Sequence, residues 1–521
     1  MRAWWVLLGA ALWVAGTSAT ALQGGRELSR RELRARLEEL GNELRAPKPE
    51  PRRAAVRALA ELGGEDAWRL VMGALADPDA AVGDAAQLAL GGVREEKLVR
   101  ELLGRGGLEA REERAVLRAA EAVGRLEVEV DGEVLARRLS SREGEVSRRL
   151  LFSIERLHRA GRLGGRPERV ADLVLALVRS RRDDELAARA LVTLAVLGDP
   201  RAGELARSAA LARDAVERAA ALVALRVLEP PDLEAVARAR AADDSVAVRA
   251  LALEVLRSAR TKPALGVLVA RLSDDPRTGL RQRVVTALRE ATGFPYRLDP
   301  RPWRDLVARL PADWDGRPLR AAPVEAADGR SLAKGPLKLP VDSDRVVFLF
   351  DFSGSMWTPL DDGRTPKDIV AARLRETLEG LDPATHFNLI PYAHDPQPWQ
   401  ERMVEASPKR VREALEFFDA LTLRGKGNVY DAALLALADP EVERVVVLTD
   451  GVPTGGLHSD MDLVVPLLTE HDLLRGVAFD LVLVDAPGPK VRRWRAFAEA
   501  SGGRAIEVAL DVTPTEERKN R

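Results

Sequence analysis

Through roughly half of the chain one helical pattern returns at a nearly fixed interval, and no other feature narrows the possible folds as far. From about Glu27 to Arg309 the residues are rich in Ala, Leu, Arg and Glu, good helix formers, with apolar positions three and four apart. Strand signals are nearly absent there. Two representative copies are Arg52-Arg53-Ala54-Ala55-Val56-Arg57-Ala58-Leu59-Ala60-Glu61-Leu62 and Gly83-Asp84-Ala85-Ala86-Gln87-Leu88-Ala89-Leu90-Gly91-Gly92-Val93. Aligned copies begin at residues 52, 83, 116, 147, 187, 217, 249 and 281, spaced by 31, 33, 31, 40, 30, 32 and 32. Such a period fits two short helices and their turns. A unit of that size cannot bury its apolar face alone and must stack on its neighbours, so the spacing predicts an all-α solenoid over 27–310.

Several copies follow the turn and capping chemistry that such a unit needs: Asp77-Pro78-Asp79, Asp243-Asp244-Ser245 and Asp274-Asp275-Pro276. These residues resemble the short HEAT repeats, in which an Asp-rich turn precedes Val-Arg and an Ala/Leu helix. The likeness is clearest at Asp244-Ser245-Val246-Ala247-Val248-Arg249-Ala250-Leu251-Ala252. The arginines that open repeat helices are expected to be solvated or paired inside their own repeat, with no functional role. After the last copy, Thr292 to Pro300 breaks the period, and Trp303 to Leu310 reads as a closing amphipathic helix. Residues 311–342, rich in Pro, Gly and Ala, read as a linker.

At Arg345 the pattern changes. Val346 to Phe350, Phe387 to Tyr392, Val442 to Leu448 and Val477 to Val484 are continuous apolar runs. Between and after them lie helical segments near Lys367–Leu381, Pro408–Leu421, Val429–Ala438, Asp460–Leu474 and Lys490–Ala500. Strands of this kind alternating with helices predict a doubly wound, Rossmann-like α/β sheet covered on both faces, making the protein multidomain. In such sheets the ligand crevice lies beyond the carboxyl ends of the strands, at the switch point. Two of those ends carry Asp351-Phe352-Ser353-Gly354-Ser355-Met356 and Thr449-Asp450-Gly451, and Gly425-Lys426-Gly427-Asn428 opens a helix. Carboxylates and hydroxyls at one edge suit a hard divalent cation, above all magnesium, which keeps several waters.

These residues resemble the metal-ion-dependent adhesion site of von Willebrand factor type A domains, with its Asp-x-Ser-x-Ser loop and a distal Thr-Asp-Gly, here 99 residues later. The similarity extends over 343–510, including Gly427-Asn428-Val429-Tyr430-Asp431-Ala432 and Ala498-Glu499-Ala500-Ser501-Gly502-Gly503. It implies that Ser353 and Ser355 ligate Mg2+ (or Mn2+ or Ca2+) directly, that Asp351 and Asp450 bind it directly or through water, and that a partner's acidic side chain takes the vacant position. One departure stands out: the family's threonine ligand falls on Gly427. Water, Asn428 or Thr422 would have to substitute, and an inward Lys426 would repel the cation. Without a cation, Asp351 and Ser353 would simply hydrogen-bond loop amides.

Composition closes most other chemistry. With no cysteine there is no disulfide, thiol nucleophile or Cys-type zinc site, and the five histidines form no HExxH pair, His386, His394 and His458 included. There is no Gly-x-Ser-x-Gly elbow, and Gly425-Lys426-Gly427 lacks phosphate-loop spacing. Lys+Arg (80) against Asp+Glu (81) leaves a net charge of −1, which excludes a general polyanion-binding field and gives no reason to expect a nucleic-acid partner. Residues 1–21 read as a secretory signal: Met1-Arg2, the uncharged stretch Ala3–Gly16, and Ala19-Thr20-Ala21 for cleavage. The alternative is an uncleaved anchor, since Ala3 to Leu22 lacks charge. The expectation is a secreted or periplasmic, non-catalytic binding protein with no membrane span after cleavage and a disordered tail over 511–521. The alternatives are an envelope enzyme or accessory subunit using the cation, and a metal-free scaffold.

Overall fold

The computed structural model describes residues 22–23, 26–27, 29–180, 182–320, 341–359, 363–451, 453–484 and 488–508. The expected signal segment 1–21, most of the linker and the tail 511–521 lie outside the described residues. The chain forms two compact units whose main division falls between Val255 and Leu256.

The first unit is built of paired helices. Every aligned repeat position falls on the third or fourth residue of a helix, as Arg52 does in Pro49–Leu62, Ser147 in Gly144–Arg159 and Arg249 in Val246–Ala259. The turn aspartates start these helices: Asp79 accepts the backbone N–H groups of Ala81 and Val82, and Asp214 those of Val216 and Glu217. Small side chains let the helices close on one another, and Ala55, Ala86, Ala119, Ala120, Ala220 and Ala224 are all fully buried. Gly83 has a specific reason. A Cβ there would lie 1.9 Å from the Arg118 guanidinium, which is buried and donates to the carbonyls of Leu75 and Asp77 at 2.7 and 2.8 Å.

The repeat arginines differ from the expectation. Arg52 donates to both oxygens of Asp77 at 2.8 and 2.9 Å, and Arg218 to both of Asp243 at 2.8 and 2.7 Å. In each case the carboxylate sits in the turn that opens the next repeat, so the pair crosses between repeats. The reason is geometric: a long side chain from the first helix reaches the turn that follows the second. Bidentate Arg–carboxylate pairing fixes orientation as well as distance.

The second unit contains the helices Lys262–Asp274, Thr278–Thr292 and Pro300–Arg309 and a six-stranded sheet. In chain order the strands are β1 (Arg345–Asp351), β2 (His386–Tyr392), β3 (Val404–Glu405), β4 (Arg444–Thr449), β5 (Ala478–Val484) and β6 (Ala505–Val508). Their spatial order is β6-β5-β4-β1-β2-β3, parallel throughout except for β3 at one edge. From β1 the chain moves outward to β2 and β3, then returns to the other side of β1 with β4. The switch point therefore lies between β1 and β4.

Successive side chains along β1 serve opposite faces. Val346, Phe348 and Phe350 share a core with Val370, Leu374 and Leu378 of Pro366–Glu379 and with Val411, Leu415 and Phe418 of Pro408–Ala420. Val347 and Leu349 are equally buried on the other face, where Val429–Ala438 packs on β1 and β2. Burial on both faces accounts for the unbroken apolar runs. At the opposite edge of the sheet, Thr278–Thr292 docks where β1 and β4 begin. The Thr278 N–H donates to Asp344 Oδ1 at 3.1 Å. A Cβ on Gly279 would meet Glu443 Oε2 at 2.6 Å and Ser343 Oγ at 2.9 Å, so only glycine allows this approach.

Candidate functional site

β1 ends at Asp351 and runs into a 3-10 turn, Gly354–Trp357, while β4 ends at Thr449 with Asp450 next. Because β1 and β4 are adjacent and parallel, both ends reach the same edge. The Asp351 carboxylate is buried. It accepts the Ser353 N–H at 2.8 Å through Oδ1 and the Thr449 hydroxyl at 2.8 Å through Oδ2. Ser353 Oγ and Ser355 Oγ lie 3.1 Å apart, and the Ser355 hydroxyl donates to Asp450 Oδ2. The four residues singled out in the sequence, Asp351, Ser353, Ser355 and Asp450, thus form one connected group of oxygens.

Two carboxylates meet in this group, and that of Asp351 is buried. Burial, followed by the neighbouring charge of Asp450, pushes the Asp351 carboxyl up to about 6. On β2, Tyr392 stands opposite Asp351 in the strand register. Its hydroxyl is fully buried and lies near the Thr449 hydroxyl and the Asp351 carboxylate. Burial and then the Asp351 charge hold this phenol well above its usual range.

Gly427 faces this group. A Cβ built on it would lie 3.4 Å from each Asp351 oxygen and 3.5 Å from Ser353 Cβ, an ordinary van der Waals contact. Gly427 is fixed from both sides: its N–H donates to Thr454 Oγ1 at 2.7 Å, and its carbonyl accepts the N–H groups of Thr454 and Gly455 at 3.0 and 3.2 Å. The Gly354 N–H donates to the Gly425 carbonyl at 3.1 Å, tying this loop to the serine loop. Asn428 does not substitute for the missing hydroxyl. Its side chain caps Val429–Ala438 by accepting the Asp431 N–H at 3.2 Å, and it donates to His394 O at 3.1 Å and Asp431 Oδ2 at 2.7 Å. Thr422 is exposed, and Lys426 is half-buried.

The donor set is oxygen only, which fits a hard cation and excludes a soft thiolate-type ion. At Gly427, which faces Asp351, no side chain brings a further oxygen. Asp351, Ser353, Ser355 and Asp450 are the residues that would hold such an ion. Among the described residues no group of three or more His, Asp or Glu side chains is placed to hold a metal ion, at this site or elsewhere. His386 contacts the Ala384 carbonyl, and His458 is buried edge-on against Tyr430. Sequence reasoning quoted Thr449 without giving it a role, and it missed Tyr392 and Thr454. The strand register would have found Tyr392; no motif points to Thr454.

Two family models match this chain: HEAT repeats over residues 37–124 and the von Willebrand factor type A domain over residues 344–504. The chain carries HEAT repeats followed by a von Willebrand factor type A domain. Domains of the latter family commonly bind a divalent metal and mediate protein–protein contacts. Similar curated proteins include mouse inter alpha-trypsin inhibitor, heavy chain 4 (30% identical over 135 residues, 23% of this chain and 14% of that protein). Bovine inter-alpha-trypsin inhibitor heavy chain H4 is 26% identical over 193 residues, 34% of this chain and 20% of that one. The chain thus aligns with a fifth or less of these relatives' length. A solved von Willebrand factor type A protein from Catenulispora acidiphila is 17% identical, with 31% of this chain and 38% of that one covered and a TM-score of 0.26. Among the described residues no helix is long and apolar enough to cross a membrane.

Proposed function

We propose that this chain is a non-catalytic binding protein whose von Willebrand factor type A domain takes a partner's carboxylate through a divalent cation. Asp351, Ser353, Ser355 and Asp450 would hold the ion, magnesium before manganese or calcium, and the helical repeats offer a second surface for protein contact. One observation carries this reading: two carboxylates and two serine hydroxyls meet at the switch point, with Asp351 buried. A cation bound there would offer an open coordination position. Thr449 and the Ser353 amide orient Asp351, and the Ser355 hydroxyl orients Asp450. Water in the Gly427 gap takes the place of the hydroxyl that the family's threonine would bring. A secreted or periplasmic site of action, with residues 1–21 as its signal, belongs to the same reading.

Gly427 favours a second reading, a metal-free scaffold held by the hydrogen bonds just described. Thermal unfolding of the full chain separates the two. A cation at 100 times its dissociation constant stabilises by about 2.7 kcal/mol. Under the first reading magnesium raises the midpoint, a chelator reverses the rise, and Asp450→Ala abolishes it. If magnesium, manganese and calcium at millimolar levels all leave the wild-type midpoint unmoved, the scaffold reading stands.

A further inference from the structure

Beside the oxygen group lies a cationic and aromatic rim that none of its hydrogen bonds require. Trp357 ends the same 3-10 turn that carries Ser355, and its indole N–H donates to the Phe352 carbonyl at 3.3 Å. The Arg424 guanidinium sits 4.6 Å over the Trp357 ring, and Lys367 Nζ lies 5.2 Å from the same ring and 6.0 Å from those of Phe352 and Phe418. Arg424 precedes Gly425, whose carbonyl is bonded to the serine loop. The rim and the oxygen group are therefore parts of one loop pair.

Three features set these cations apart from ordinary solvated charges. Neither Arg424 nor Lys367 forms an ion pair with a described residue. Lys367 occupies the first turn of Pro366–Glu379, where the helix dipole disfavours a cation. Arg424 lies over Trp357, and its N–H fork, the part that matches a carboxylate, makes no hydrogen bond to any described residue.

We propose that this rim is a second subsite for an acidic partner: a protein segment that delivers one carboxylate to the oxygen group places a second, a few residues on, against Arg424 above Trp357. The inference rests on the cation reading of the oxygen group and adds the partner's chemistry to it. A divalent ion would offset the charge of Asp351 and Asp450, and Arg424 and Lys367 add positive charge beside it. An extended segment advances roughly 3.3 Å per residue, so carboxylates two to four residues apart sample separations of roughly 7 to 13 Å.

The test uses the full chain and end-blocked, fluorescein-labelled Gly/Ser peptides, each with one Asp and either Glu or Gln two, three or four residues later. Fluorescence anisotropy is read in magnesium and in chelator. The Glu series should bind roughly tenfold more tightly than the Gln series at one spacing or more. Arg424→Gln should erase that preference while leaving magnesium-dependent binding of the Gln series intact. Magnesium-dependent binding with no Glu preference, or a preference untouched by Arg424→Gln, overturns the rim and spares the cation. A preference that needs Arg424 but survives chelation keeps the rim and removes the cation. Absence of binding by every peptide overturns both. Should Arg424→Gln lower the thermal midpoint, Lys367→Gln tests the same preference independently.

Discussion

Gly427 is the residue on which the chemistry of the site turns, because it removes a ligand without removing the space for one. Its backbone is not among the positive-φ glycines, and a Cβ at 3.4 Å from Asp351 is an ordinary contact. A side chain can therefore enter without strain. Gly427→Thr should add a hydroxyl to the oxygen group and tighten magnesium binding by roughly tenfold, equivalent to about 1.4 kcal/mol. Gly427→Ala, which displaces water and brings no oxygen, should weaken it. Titration calorimetry of the two variants reads the difference, and equal affinities in both would mean that position 427 does not face a bound ion. The site residues Asp351, Ser353, Ser355 and Asp450 were legible in the sequence because each motif follows an apolar strand. Tyr392 was not, since its place depends on how β1 and β2 align.

At the scale of the helices, the repeats are joined by buried ion pairs as well as by alanine-rich packing. Glu121 in the helix Glu113–Ala122 is fully buried and accepts Arg125 Nε at 2.8 and 2.9 Å and Arg156 Nη1 at 2.6 Å, with Gln87 as a further donor. Burial alone would raise its pKa, but Arg125 and Arg156 outweigh burial and hold it at about 2. With the folded value below the ordinary 4.5, its stabilisation is complete above pH 4.5 and is lost as the pH falls towards 2. Glu121→Ala leaves two cations facing a cavity and should cost about 3–5 kcal/mol at neutral pH. It should also flatten this part of the acid limb. Urea unfolding at pH 7 and pH 3 checks both; a cost at pH 7 below about 1 kcal/mol would show that the arginines find other partners. The phase of the repeats was readable from spacing, since burial of one helix face demands it. The arginine pairs between repeats were not, because contact with a turn 25 residues away leaves no local periodicity. The two edge strands, Val404–Glu405 and Ala505–Val508, are too short and too lightly patterned to stand out.

At the scale of the whole molecule, one compact unit holds both the sheet and the helices from Leu256 onward. The last helices belong to that unit because Thr278–Thr292 packs on the strand origins through a buried carboxyl. Glu443 accepts the Ser343 hydroxyl at 3.0 Å and faces Asp344 from β1's approach and Arg277 and Arg283 from the helix. Arg277 also pairs with Glu441. Burial, then the charge of Asp344, pushes the Glu443 carboxyl up to about 7 against the pull of Arg277. Between pH 4.5 and 7 the folded chain holds a proton on Glu443 that the unfolded chain has released. Stability from this group is therefore complete below 4.5 and lost as the pH rises through 7, by at most roughly 3 kcal/mol. Glu443→Gln keeps an acceptor for Ser343 and cannot ionise, so it should remove the decline. Guanidinium unfolding of the full chain, followed through the tryptophans at pH 5, 6 and 7.5, should show the wild type losing stability across this range relative to Glu443→Gln. Parallel curves for the two proteins would mean that Arg277 and Arg283 keep Glu443 ionised. The helix would then be held to the sheet by a permanent ion pair, independent of pH.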